Sequence, residues 1–209
     1  MCKKFCSFAG LAVLLITMTG CMAYTTQLTK GRSVYHMTRI EGASKVILSD
    51  LSDLRPNKKS IGQVSALSLK SDVEINVALT DRIAAKLRDN GYNVEKINLA
   101  TRPNKERIKN LLNDNTGILY ISGGLSEFFI SSFDAVMKPA KGNTNFFIAV
   151  YDADGNKLIE KRFTSETTNW IGLTGGFGAD KSIDLALTAS VNEVFKDKKI
   201  QEIFKITQI

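Results

Sequence analysis

The sequence predicts an α+β fold: a single domain, a mixed β-sheet with about three helices packed on it, following a signal peptide and a short tether. Three observations carry that prediction. Short apolar runs bounded by turn residues alternate with stretches of helical period. An Asp-Gly turn sits between two strand-like runs late in the chain. The 209 residues, 44% hydrophobic and 23% charged, suit one domain with a real core, and no internal repeat interrupts them.

Residues 1–20 read as a leader. Lys3 and Lys4 form a positive start, and Phe5 to Met18 is an apolar run shorter than the roughly 20 residues of a spanning helix. The run ends Met18-Thr19-Gly20-Cys21, which resembles a lipobox, in which a small residue precedes the cysteine that is acylated before cleavage. Met18 stands where leucine is usual. Cys21 is therefore the expected lipidation site, and 1–20 a lipoprotein signal peptide. Met22 follows the cysteine rather than the aspartate that usually retains such proteins in the inner membrane. The expected location is the periplasmic face of the outer membrane. Cleavage removes Cys2 and Cys6, so the mature body holds no thiol besides Cys21.

Residues 21–43 are read as the lipidated N-terminus and a polar tether, with Val34 to Ile40 as an alternative edge strand. A tether of about 20 residues has an r.m.s. reach of about 25 Å. The globular domain spans 44–209. Lys45 to Leu51 is a buried strand, and Ser52 to Ser60, containing Arg55-Pro56-Asn57, is turn-like. Ser71-x-x-Glu74 reads as a capping box opening a helix over 72–90. Its expected apolar face is Val73, Val77, Thr80, Ile83, Ala84 and Leu87, and Gly91 takes the position after its end. Tyr92 to Ile97 is a strand. Pro103 opens a second helix through Asn113, with Ile108, Leu111 and Leu112 on one face. Gly117 to Leu125 is a central strand, with Gly123-Gly124 read as a bulge; Phe128 to Ala135 extends the sheet. Asn145–Tyr151 and Lys157–Phe163 flank the turn Asp152-Ala-Asp-Gly-Asn156. The last helix runs from Lys181 to Lys196, capped by Asp180, and a short amphipathic piece follows with Ile200, Ile203 and Phe204. This order places the helices on one face of the sheet.

Several chemistries fail on these residues. The only histidine, His36, lies in the tether, so no rigid Ser-His-Asp triad can be built on it. One histidine and no body cysteine provide no metal cluster, and no cofactor is implied. Asp152-x-Asp154-Gly155 lacks the spacing of a calcium loop, with its glycine fourth rather than sixth. Gly172 to Ser182 is glycine-rich, but Asp180 precedes Lys181 where a phosphate loop needs glycine. Glu127 with Asp134 leaves a carboxylate-based hydrolase open as a minor alternative. Trp170, the single tryptophan, precedes the glycine-rich loop as either a core residue or a contact. The mature chain carries 26 basic and 21 acidic side chains, a surplus of five that suits an anionic membrane or wall polymer. The lysines are scattered, so no nucleic-acid surface is expected.

Four features in order resemble the YajG family of uncharacterised lipoproteins: the lipobox leader; Asp53-x-Arg55 with Gly62 soon after; a helix ending Arg88-Asp-Asn-Gly-Tyr92; and the Asp154-Gly155 hairpin followed by a helix closing Asp197-Lys-Lys-Ile200. The resemblance implies a lipid anchor and an α/β domain, without an established chemistry. The expected function is a non-catalytic binding or assembly role in the cell envelope, with an envelope protein or peptidoglycan as partner. A lipid or small-ligand carrier is the alternative. Asp53 and Arg55 are the candidate turn or interaction residues.

Overall fold

The computed structural model describes residues 23–26, 44–64, 67–99, 103–114, 118–132, 139–169 and 176–205. The strands among the described residues are β1 (Ala23–Thr26), β2 (Lys45–Ser49), β3 (Ser52–Asp53), β4 (Gly62–Val64), β5 (Leu67–Ser71), β6 (Asn93–Ile97), β7 (Leu119–Ser132), β8 (Ala140–Tyr151) and β9 (Lys157–Asn169). The helices are α1 (Ile75–Asp89), α2 (Lys105–Asp114), α3 (Gly176–Lys196) and a short α4 (Lys198–Ile203). The fold is α+β, one mixed sheet with three main helices, as the sequence predicts.

β7 is the spine of the sheet. One edge of it pairs along almost its whole length with β8, antiparallel, and β8 pairs in turn with β9. The other edge takes three parallel strands in succession: β2 opposite Leu119–Ile121, β3 opposite Gly124–Leu125, and β4 opposite Ile130–Ser132. The sheet forks there. The lower branch continues from β2 to β6, and the upper branch runs from β4 through β5 to β1.

Each face of the sheet has its own core, because successive side chains in a strand point to opposite faces. Val46, Leu48, Ile121, Phe128, Ile130, Phe146 and Ile148 join Leu79, Ile83, Leu187 and Val191 of α1 and α3 in the larger cluster. Their neighbours Ile47, Tyr120, Ala149 and Tyr151 join Ile108 and Leu112 of α2 in the smaller one. The helices therefore do not share one face; α2 covers the side opposite α1 and α3. Its strongly amphipathic sequence needs only the Ile108–Leu112 stripe buried.

Several local expectations are corrected. α1 starts at Ile75, not 72; its N-cap is Glu74, which makes no side-chain capping bond, while Ser71 Oγ accepts from the Val73 amide at 3.1 Å. The capping box is thus replaced by a turn closed by Ser71. The buried face shifts accordingly to Ile75, Asn76, Leu79, Thr80, Ile83, Ala84 and Leu87. α3 starts at Gly176, so Asp180 lies inside the helix rather than capping it. Glycines weaken helical propensity there, and the apolar period is legible only further on. The strand bulge falls between Leu125 and Glu127, not at Gly123-Gly124. Ala23–Thr26, within the segment read as tether, pairs in parallel with β5 from Ala23 opposite Ser68 to Thr26 opposite Ser71. Val34–Ile40 lies outside the described residues.

Gly91 (φ 85°) ends α1 as expected, and Tyr92 beside it donates its hydroxyl to the Phe204 carbonyl and meets the Phe204 ring edge-on at 5.5 Å. The close of α1 thereby holds the C-terminal helix down. Among the described residues no helix is long and apolar enough to cross a membrane.

Candidate functional site at the Asp53–Arg55 turn

The turn grows out of β3. Asp53 is paired with Leu125 of β7, and the Leu54 amide donates to the Leu125 carbonyl at 2.8 Å, so the chain leaves the sheet from a fixed point. Asp53 then gathers the next residues. Its Oδ1 accepts from the Arg55 amide at 3.1 Å and from Arg55 Nε at 2.9 Å; its Oδ2 accepts from Arg55 Nη2 at 2.8 Å. Nη2 reaches on to the Lys58 carbonyl at 3.4 Å, and Asn57 Oδ1 accepts from the amides of Lys59 and Ser60, both at 3.2 Å. Asx-type bonds of this kind close turns without a ladder. The parallel fork between guanidinium and carboxylate is the strong form of a charged hydrogen bond.

Arg55 is buried and Asp53 half-buried, with 5% of the Arg55 side chain and 14% of the Asp53 side chain exposed. Burial works to raise the Asp53 pKa, but the Arg55 hydrogen bonds and charge, with Lys58 behind them, outweigh it and hold the carboxyl below its ordinary value. Arg55 Nη1 is enclosed and has no hydrogen-bond partner among the described residues.

The turn forms one wall of a cleft of about 400 Å³. Its opposite wall is the end of β5 and the start of α1, Ser71 to Asn76. Formal charges around it are Arg55 and Lys58 against Asp53, Asp72 and Glu74, one net negative, so the cleft is no ready anion site despite the helix N-terminus in its wall. Asp180 of α3 is pushed above its ordinary pKa by its burial and then by Asp72.

Beneath the cleft lies a buried polar clamp that the sequence reading missed. Asn76 Nδ2 donates to the Leu51 carbonyl at 2.8 Å, and Thr80 Oγ1 accepts from the Leu51 amide at 3.0 Å while donating to the Asn76 carbonyl at 2.7 Å. One residue between β2 and β3 thus has both backbone groups satisfied by α1. The only sequence signal is two polar residues at i and i+4 on an otherwise apolar helix face.

Of the other singled-out residues, those that are described do not line this cleft. Glu127 stands exposed on β7, and Asp134 lies outside the described residues. Cys21, His36 and Trp170 also lie outside them, as do Gly172 to Gly175. Asp152 is engaged in the hairpin turn, its Oδ1 accepting from the amides of Asp154 at 3.0 Å and Asn156 at 2.8 Å. Among the described residues no group of three or more His, Cys, Asp or Glu is arranged to hold a metal.

No family model matches the chain, and no curated protein matches it significantly. Solved structures do resemble it. Protein XCC0632 of Xanthomonas campestris, of the DUF330 family, is 8% identical, covers 88% of this chain and 93% of its own, and superposes with a TM-score of 0.52. A dodecameric PelC of Paraburkholderia phytofirmans is 11% identical over 79% of this chain and 90% of its own, with a TM-score of 0.47. Lipoprotein GNA1162 of Neisseria meningitidis is 13% identical over 74% and 99%, with a TM-score of 0.45. At such identities the likeness shows shared fold alone, and the first of the three carries it.

Proposed function

We propose that this chain is a YajG-like bacterial lipoprotein, cut before Cys21, lipidated on that cysteine, and working without catalysis as a binding or assembly protein of the cell envelope. The observation that carries the reading is the leader, Lys3-Lys4, an apolar run, and Met18-Thr19-Gly20-Cys21. Three acyl chains give stable anchoring where one is marginal. Met22 after the cysteine favours the periplasmic face of the outer membrane.

A binding role fits the body better than the alternatives. The space between α1, α3 and the sheet is filled by side chains such as Leu79, Ile83, Phe146 and Leu187, all at most 1% exposed, which argues against a lipid carrier with its cargo in that layer. The cleft beside Arg55 is polar-walled and lies at the surface. Its Asp53 is committed to three bonds from Arg55, which argues against a free general base there.

Metabolic labelling with a fatty-acid analogue tests the reading. The wild type is expected to carry label and the Cys21→Ser variant to lose it, since the thioether needs that thiol. Undiminished label in the variant would sink the proposal.

A further inference from the structure

If Cys21 carries lipid, the described part of the chain says which end of the domain meets the bilayer. Ala23, the first residue of β1, follows Cys21 after a single residue. Two Cα–Cα steps span at most about 7 Å. The register then carries Ala23 across the sheet. It lies opposite Ser68 of β5, Ser68 opposite Gln63 of β4, and Gln63 opposite Ser131 of β7. Ser131 lies opposite Lys141 of β8, and Lys141 opposite Thr168 of β9. One row of residues thus crosses six strands, β1, β5, β4, β7, β8 and β9, at the upper end of the sheet. The row through Tyr120, Tyr151 and Lys157 marks the lower end, capped by the 152–156 turn. Eleven residues of β7 separate the rows, about 36 Å at about 3.3 Å each.

We propose that, in the lipidated protein, the Ala23–Lys141–Thr168 end of the sheet rests on the bilayer surface and the Asp152–Asn156 turn points away from it. The inference rests on the lipoprotein reading and on β1 staying paired, which leaves the anchor one residue of slack. Lys141, exposed, is the one charged side chain of the upper row, and an anionic surface attracts it. At the distal turn Asp152 and Asp154 are offset by Lys105, Lys109 and Lys157, so the polarity rests on the register of β1 and not on charge. Phe129, 39% exposed and two residues from Ser131 along β7, adds exposed apolar surface near the same end.

The test uses the full, acylated protein in vesicles of phosphatidylethanolamine and phosphatidylglycerol. Lipidation consumes the Cys21 thiol, so Lys141→Cys and Asp154→Cys each supply a single site for a spin label. Power saturation with oxygen and a water-soluble nickel chelate then reads depth. The expected result is a Lys141 label at headgroup level and an Asp154 label in bulk water. Inserting a ten-residue Gly-Ser segment between Met22 and Ala23 should release the Lys141 label from the surface. Acylated protein with both labels in water, or with the Asp154 label nearer the bilayer, overturns the orientation while leaving the anchor standing. An intact mass without acyl chains overturns the lipoprotein reading itself.

Discussion

Arg55 and Asp53 show how much one local spacing can decide. Residues two apart around a strand end are close enough to pair before any tertiary contact forms, so their role in a turn is legible from Asp-x-Arg-Pro alone. Removing Asp53 leaves the buried Arg55 charge without its complement, a loss of up to about 3 kcal/mol by analogy with other buried pairs, and removing Arg55 leaves a half-buried carboxylate at a smaller cost. Asp53→Ala and Arg55→Ala should each lower the melting temperature by several degrees in calorimetry; an unchanged value with lost partner binding would make the pair an interaction site. The pair also sets a pH dependence. The folded pKa of Asp53 lies below its unfolded value of about 3.9. Its stabilisation is therefore complete above about pH 4 and is lost as pH falls through the lower, folded value. Melting curves should show a steeper acid-side loss in the wild type than in Arg55→Ala. Thr80 is the opposite case: its partner Leu51 is 29 residues away, and nothing local announces the bond. Thr80→Val keeps the shape but strands the Leu51 amide, and should cost about 1–3 kcal/mol in denaturant unfolding. A change within 0.5 kcal/mol would mean the clamp is not needed.

Among the elements, those legible in the sequence are the ones whose signals are local. The Asp154-Gly155 hairpin and the Gly91 helix end both follow from turn chemistry, and both glycines sit at positive φ. The short strands β3, β4 and β5 were not legible. Strands of two to five residues have too few side chains to show a period, and each is held by its pairing to β7 or to a neighbour. At Gly123 the cause is tertiary packing, not strand length. The residue is regularly paired, but a Cβ there would lie 2.2 Å from the Phe147 carbonyl oxygen and 2.6 Å from a Leu51 methyl, a close approach invisible without β8 and the β2–β3 corner. Gly123→Ala should destabilise by about 2 kcal/mol, in the range of overpacked cores. Equal melting temperatures for variant and wild type would show that the sheet gives way more easily than this packing implies.

At the scale of the whole molecule, β1 changes the expected reach. A free segment of 22 residues would stretch to at most about 75 Å. On the proposed lipoprotein reading, with Ala23–Thr26 in the sheet, the domain has one residue of slack and extends from Cys21 by little more than the length of β7, about 45 Å for 14 residues. On that reading a partner must come to the anchoring membrane to be met. Photocrosslinkers at exposed Leu54 and Leu158 should therefore capture outer-membrane or wall-associated material. Dominant adducts with an integral inner-membrane protein would contradict the outer-membrane placement. All of this depends on one covalent event at Cys21. The most direct measurement is mass spectrometry of the mature N-terminus from the membrane fraction. The account predicts a chain beginning at Cys21, with a diacylglyceryl thioether and an acylated amine. A mature chain that begins elsewhere and carries no lipid would contradict it.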